Sequence, residues 1–468
     1  MASPNLDLIK TIVVVMMENR SFDHMLGYLS LREGWEPVEG VRPNDPAWVA
    51  RTTNSFQQKA YPPFEQLDVI HKMAGDPPHE WTDIARQMGN PDADGNFPMN
   101  GFVANYATAQ EKPDVIDESH PPVMGYFSGE RVPVTDLLAT NFAVCDHWFS
   151  SLPAGTQANR LMSMAGYSLI AHNTFPLPNH QLVYDWLDAR KINWRVYHEG
   201  LPFFAMMPNQ IPRILTGGRF RPLETLWDDV NNETPDQFPE VIFVEPWYTD
   251  GPHPSVSRDD HAPSSIVGGQ QFLNEVYRSI RVNPNWASTV MIVNYDEHGG
   301  FFDHVSPPMV TTPADGDANT NPGFSCLGVR VPALVISPLV TPGSIYNKRL
   351  DHTSVLKLIG EKFGSRNGME SGYSVQVDTR DVNSVYDVLN LASPRVENPP
   401  VAIPLDDEYL NQPLPKAGYV PECATPPSVL AQAFKIGLDT MRNHPDFAGS
   451  YYDELLADFP SDPKTHLL

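Results

Sequence analysis

The stretch Ser288–Val305, STVMIVNYDEHGGFFDHV, constrains the fold more than any other part of the chain. Val290, Met291, Ile292 and Val293 form an unbroken apolar run, the pattern of a strand buried on both faces in a parallel sheet. The run ends in Asp296, Glu297 and His298 and then two glycines. Ligand sites in open α/β sheets collect at the carboxyl ends of strands. Two adjacent carboxylates there are costly unless they hold a cation, and Gly299 and Gly300 permit a sharp turn. Standing alone, the pair reads as an acidic strand-to-loop turn. The stretch Ile9–Asn19, IKTIVVVMMEN, repeats the pattern, with a buried-strand run passing straight into Glu18 and Asn19. Two such strands, far apart in sequence, read as two walls of one metal site.

Between and after these strands, apolar runs alternate with helical patterns. Arg20–Leu29 starts a helix, and Leu137–Asp146 reads as a helix end followed by a strand. A helix opens near Thr156 after FSSLPAG. Val183–Arg190 is helical and Asn193–His198 a strand, and Val241–Val244 is a buried strand ending in Glu245. Val267–Ile280 is amphipathic, with Phe272, Val276 and Ile280 four residues apart. Val329–Ser337 reads as a strand whose Pro332 places it near an edge or at a bulge. His352–Phe363 is a helix with Thr353 and Ser354 as candidate caps. The alternation implies an α/β fold, a three-layer sandwich with a mostly parallel central sheet. Residues 30–125 are irregular and read as an insertion built over the sheet edge and the site. The catalytic unit spans 1–392. A Pro-rich C-terminal extension, 393–468, follows and carries one amphipathic helix, Ser428–Arg442.

Composition narrows the partners. A net charge of −25 argues against nucleic acid, which needs a basic footprint, and against docking on anionic membranes. At most a transient membrane-surface contact is expected. An anionic substrate would need local positive charge, and a bound cation is the simplest source. Cys145, Cys326 and Cys423 are widely spaced and form no CxxC, which favours a reducing compartment over a disulfide framework. The apolar run after Lys10 is short and passes directly into the site strand, so it is not read as a signal peptide. No apolar segment reaches the roughly 18 residues of a membrane span. The expected location is cytoplasmic, with export by another route and the oligomeric state left open.

Glu18, Asn19, Asp296 and Glu297 are hard oxygen donors. They suit Mg²⁺, Ca²⁺ or Mn²⁺ more than a soft metal, although carboxylate-bound Zn²⁺ also fits. Thr156 follows Pro153 and Gly155 and opens a helix, where free N–H groups and the helix dipole favour phosphate. It is a candidate nucleophile or a simple helix cap.

MMENRSFDHMLGYL, GDPPHEW, FSSLPAGTQANR, RDDHAPSS, YDEHGGFFDHV and RVPALVISPLV, in that order over about residues 8–364, together resemble one family. It is the phosphoesterase family of bacterial and plant phosphatidylcholine-hydrolysing phospholipases C, which includes an acid phosphatase. The resemblance implies an alkaline phosphatase-like core and a divalent metal held by Glu18, Asn19, Asp296, Glu297 and Thr156. It also implies Thr156 as nucleophile, with Asn159 and Arg160 on the phosphate. His79 and His261, and by a shorter match His198, become the catalytic histidines, while His298, Asp303 and His304 read as supporting residues. The implied activity is hydrolysis of phosphatidylcholine to diacylglycerol and phosphocholine through a phosphothreonine. The alternatives are an acid phosphatase acting on small phosphate monoesters and a non-enzymatic binding protein. Trp81, Tyr106, Trp148, Trp247 and Tyr248 are candidates to hold a choline ammonium by cation–π contact or to be plain core. The tail from residue 393 matches nothing in this family.

Overall fold

Eight strands form the central sheet: β1 (Thr11–Met17), β2 (Ala143–Cys145), β3 (Trp194–His198), β4 (Phe220–Pro222), β5 (Val241–Glu245), β6 (Thr289–Tyr295), β7 (Ala333–Ile336) and β8 (Ile345–Tyr346). The computed structural model describes residues 6–35, 37–67, 76–109, 120–252, 257–310, 323–397, 399–410 and 428–455. Parts of the expected insertion (68–75, 110–119) lie outside these residues. So do 411–427, with Cys423, and 456–468 of the extension. The strand order is β8-β2-β7-β6-β1-β5-β3-β4. Only β7 runs antiparallel to its neighbours, so the sheet is mostly parallel, as the buried-strand runs imply.

All seven residues of β1 and of β6 are buried. Successive side chains point to opposite faces of a strand, so continuous burial means that both faces are covered. Helices do this on either side. They include α1 (Pro133–Asn141), α2 (Thr156–Ala165), α3 (Val267–Arg281), α4 (Thr353–Phe363) and α5 (Val429–Arg442). Helix α1 packs on α3, and α2 on α4. Val14 and Met16 of β1 face the α2–α4 side. A separate apolar cluster joins Tyr61, Ile84, Met88, Phe102 and Tyr106 of the insertion to Phe301 and Phe302, just past the β6 turn. The insertion thus packs on the segment that leaves the site. Leu430, Phe434, Leu438 and Tyr452 of the C-terminal extension share the main core.

Two local readings are corrected. The strand with Pro332 is interior, not an edge: β7 pairs with β6 on one side and β2 on the other. It begins at Ala333, so the proline sits just before the ladder and costs it no hydrogen bond. Neither Thr353 nor Ser354 caps α4. Asp351 Oδ1 accepts from Thr353 N at 2.8 Å, two residues ahead of the first expected cap, and Ser354 Oγ in turn accepts from Asp351 N at 3.1 Å.

The parallel register sets the geometry of everything downstream. Met16 lies opposite Asn294 and Met17 opposite Tyr295, so Glu18 and Asp296 leave the sheet side by side. On the other flank Val15 pairs with Val244 and Glu245 with His198. One edge of the sheet therefore carries, in spatial order, Asp296, Glu18, Glu245 and His198. Ile292, fully buried and paired with both Val14 and Val335, is the centre of this frame. Ile292→Ala is expected to lower the unfolding free energy by about 2–5 kcal/mol. Urea denaturation checks this, and a loss below about 1 kcal/mol would mean that the frame is not packed as described.

Candidate active site

Four chain segments meet at the carboxyl edge of β1 and β6. Asp296 N donates to Met17 O at 3.2 Å, continuing the ladder one residue past the strands. Asp296 Oδ1 then accepts from Asn19 N (3.2 Å) and Glu297 N (2.7 Å). The turn works because of its glycines. Gly299 has φ +61°, and a Cβ there would sit 2.2 Å from Asn19 O. Gly300 has φ +73° and lies against Pro77 and Pro78. Two glycines thus let three segments approach closely, and Pro77–Pro78 brings His79 with it.

Arg160, one turn into α2, binds the two walls together. Its Nε donates to Asp296 Oδ2 at 3.2 Å and its Nη2 pairs with Glu18 Oε1 at 3.0 Å. Nη1 donates to Tyr248 OH at 3.2 Å. The guanidinium packs against the rings of Phe203 and Tyr248, 4.7 and 5.0 Å from their centroids, and those rings meet edge-on, 5.8 Å apart. Thr156 opens the same helix. A Cβ on the preceding Gly155 would lie 3.5 Å from Glu80 Oε2 and 3.6 Å from His79 O, so the first turn of α2 abuts the His79 loop.

Most donors at this junction are left over from protein hydrogen bonding. Glu18 Oε2, Asn19 Oδ1, Thr156 Oγ1 and Glu297 Oε1 are all buried without a hydrogen-bond partner, and Glu18 Oε1 has only its ion pair with Arg160. Orphaned buried oxygens are rare and costly. Burial lifts the Glu18 carboxyl well above the usual range, Arg160 opposes this, and Asp296, Asp259 and Asp250 add to it. Burial likewise pushes Asp296 up to about 6 against the pull of Arg160, with Glu297 adding to it. Unpartnered hard oxygens that resist ionising in a buried place fit a divalent cation, and the residues present suit one.

The histidines flank this cluster. His79 Nδ1 faces Pro77 O at 2.7 Å, and its Nε2 faces Asn19 Nδ2 (3.4 Å) and Glu297 Oε1 (3.9 Å). Burial disfavours its charge, but Asp76, Glu297 and Glu80 outweigh that and raise it to about 10. His261 lies edge-on to His79 with ring centroids 5.7 Å apart. Its Nδ1 faces Ala262 O at 2.6 Å, and its Nε2 lies 3.7 Å from Asp250 and 3.9 Å from Asp76. Burial works against its charge too, and Asp76, Asp250 and Asp259 raise it.

Other sequence candidates sit elsewhere or act indirectly. Asn159 spends its amide on the loop before Thr156, donating to Ala154 O (2.6 Å) and accepting from Leu152 N (3.0 Å). Arg160 is committed to carboxylates. His198 is fully buried, with Nδ1 on Gly200 O (2.9 Å) and Nε2 on Tyr452 OH (2.8 Å), and it stacks on that ring. Asp303 and His304 join Asp23 and Arg330 in a buried ion network, a supporting arrangement. His298 Nε2 contacts Gln87 at 2.7 Å. Of the five aromatics, Tyr106, Trp148 and Tyr248 are core, while Trp81 and Trp247 keep some exposure.

Sequence reading passed over Asp76, Asp250 and His352. Asp76 stands inside the quoted GDPPHEW, three residues from His79, and so carried a signal. Asp250 lies in a turn with none. His352 Nε2 reaches Asp296 O at 2.6 Å and steadies the β6 turn, but its sequence context reads only as a helix start.

The sequence profile of the Phosphoesterase family matches residues 9–365. Non-specific phospholipase C3 of Arabidopsis thaliana is 32% identical over 421 residues, covering 84% of this chain and 75% of its own length. Phospholipase C B of Mycobacterium tuberculosis is 30% identical over 415 residues, covering 76% and 73%. Among solved structures, the lipoteichoic acid synthase LtaP from Listeria monocytogenes aligns with 55% of this chain and 72% of its own, at TM-score 0.34 and 10% identity. No helix among the described residues is long and apolar enough to cross a membrane.

Two predictions follow from this geometry. Gly299→Ala meets both backbone strain and a clash, whereas Gly217, with φ +83°, has nothing within 4 Å of a new Cβ. Gly217→Ala should cost about 1 kcal/mol and Gly299→Ala more than about 2 kcal/mol. Equal denaturation midpoints for the two would refute the close approach. Burial holds His198 neutral down to about pH 4 in the folded chain, while the unfolded chain protonates it near 6.5. Its contribution is full above about pH 6.5 and is lost as pH falls toward 4, by an amount on the order of 3 kcal/mol. Unfolding free energies of the wild type and His198→Gln, measured from pH 7 to 4.5, should therefore differ in slope. Parallel curves would show that His198 does not carry this dependence.

Proposed function

This chain belongs to the Phosphoesterase family and is a phosphoric ester hydrolase. From that premise we propose that it is a phospholipase C-type phosphodiesterase, cleaving phosphatidylcholine to diacylglycerol and phosphocholine with Thr156 as nucleophile. The observation that supports this best is the buried Thr156 Oγ1. It has no partner, stands at the first position of α2, and adjoins the His79 loop. Two relatives bearing the name phospholipase C, each covering about three quarters or more of this chain, support the substrate class.

Glu18, Asn19, Asp296, Glu297 and Thr156 would hold a divalent cation, which when bound supplies Lewis-acid polarisation of phosphoryl oxygen and lowers the hydroxyl pKa. The chain's own groups do the rest. The first turn of α2 offers backbone N–H groups to the phosphate, and Asn159 shapes the loop that presents Thr156. Arg160 fixes the two carboxylate walls at a constant separation. Thr156 Oγ gives up its proton to bulk water and attacks phosphorus in line; the Oγ–P bond forms as the bond to the glycerol oxygen breaks. His79, held protonated at neutral pH by its carboxylate neighbours, or His261 beside it, gives the leaving alkoxide its proton. The imidazole left neutral takes a proton from the water that attacks the phosphothreonine, the Oγ–P bond breaks, and Thr156 takes a proton back from bulk water. We place His198 outside these steps, since both of its ring nitrogens are bonded within the fold. The net charge of −25 favours zwitterionic over anionic lipid, because like charges repel within the Debye length of roughly 8 Å.

Thr156→Ala should lower kcat on phosphatidylcholine micelles by about a thousandfold or more while leaving the fold intact, and Thr156→Ser should keep part of the activity. Turnover of Thr156→Ala within threefold of wild type would exclude the nucleophile. Strong hydrolysis of p-nitrophenyl phosphate without phosphatidylcholine hydrolysis would replace the diesterase reading with a monoesterase one.

A further inference from the structure

The C-terminal helix α5 lies outside residues 9–365, the part that matches the family profile, yet it closes the wall directly behind the candidate site. Phe434 packs on Tyr248 and on Phe203, with ring centroids 5.4 and 6.0 Å apart. These are the two rings against which the Arg160 guanidinium packs. Gly437 lets the helix touch the Phe203 segment, because a Cβ there would sit 2.6 Å from Ala205 O. Glu245 completes the cage: its Oε2 accepts from Phe203 N (2.7 Å) and from Tyr248 OH (3.2 Å). Ser428 caps α5, accepting from Ala431 N at 2.9 Å, and its hydroxyl also donates to Asp250, whose other oxygen faces His261. Tyr452, in the next short helix, bonds His198.

These contacts form a relay. Glu18 and Asp296 are set by Arg160, Arg160 by Phe203 and Tyr248, and those rings by Phe434. We propose that α5 is a positioning element for the cation-binding carboxylates, with Phe434 and Tyr248 as positioning residues acting through Arg160. The proposal rests on the reading that Glu18, Asn19, Asp296 and Glu297 bind a divalent cation. Removing Phe434 leaves the two rings unsupported on one side. The guanidinium packed against them loses its fixed plane, and the spacing of the carboxylates it bridges loosens. Ligand spacing decides cation affinity before any substrate is present.

Calorimetric titration of the full chain, stripped with chelator, tests this. Mg²⁺, Ca²⁺, Mn²⁺ and Zn²⁺ are each tried on the wild type, and the tightest binder is carried through the variants. Phe434→Ala should weaken the ion's Kd by about tenfold or more, and Phe434→Leu should restore it to within about threefold. Ile280→Ala, a core truncation in α3, should lower stability but leave Kd within about threefold. Tyr248→Phe keeps the ring and removes the hydroxyl bonded to Arg160. It should weaken Kd by about fivefold, and it gives the same reading if Phe434→Ala does not fold. Wild-type Kd in Phe434→Ala or, should that variant not fold, in Tyr248→Phe would overturn the proposal. So would equal weakening by Ile280→Ala, which would mark a general loss of packing. Glu18→Ala separates the two layers. Unchanged binding in that variant would overturn the site reading and the relay together. Weakened binding there, beside unchanged binding in Phe434→Ala, would overturn the relay alone.

Discussion

The ion pairs that Arg160 makes with Glu18 and Asp296 hold this molecule's chemistry together. Two carboxylates from two strands meet buried away from bulk solvent, and taking each charge out of water costs several kcal/mol. One guanidinium offers donors to both, but leaves oxygens of Glu18, Asn19, Thr156 and Glu297 unused. The fold tolerates this only where something else completes the balance. Protonated His79 is one available counter-charge, and the unused oxygens leave room for a cation as another. The arrangement is costly as a structural ion network and economical as a site, because the unmet valence is held ready for a ligand.

Which parts of this were legible in the sequence depends on how far each interaction reaches along the chain. The two central strands were legible because burial on both faces demands an unbroken apolar run. Parallel pairing then puts the residue after each run at the same height. Glu18 beside Asp296 follows from those two facts alone. The strand after Pro332 was misplaced because a proline reads as a disruption, whereas one residue of offset puts it harmlessly ahead of the ladder. The strands Phe220–Pro222 and Ile345–Tyr346 were missed because short edge strands have too few residues to show a period.

Side-chain partners at long range were less legible. Arg160 read as a phosphate ligand because its motif says only that a cation follows the nucleophile, not which anion it faces. The destination of His198 depends on Tyr452, 254 residues away, and no local pattern records that. The aromatic candidates divide the same way. Composition counts rings, but only packing decides that Trp148 bonds His352 while Trp81 stays half open. The C-terminal helix was visible as an amphipathic segment, but its apolar face did not say what it would cover.

The register of β1 has a consequence for how the chain comes to exist. β1 is the first strand made, and both of its partners, β5 and β6, arrive in the second half of the sequence. Asn19 waits for Asp296, 277 residues later. At ribosomal speeds of about 5–20 residues per second, that is roughly fifteen seconds to a minute. Until β5 is made TIVVVMM is an apolar strand with two open edges, and until β6 is made it keeps one, the kind of segment that seeks wrong partners. The carboxylate cluster is built across this long-range β1–β6 pairing. It closes only after the slow, non-local step that topology imposes, so the paired carboxylates mark a chain made through β6.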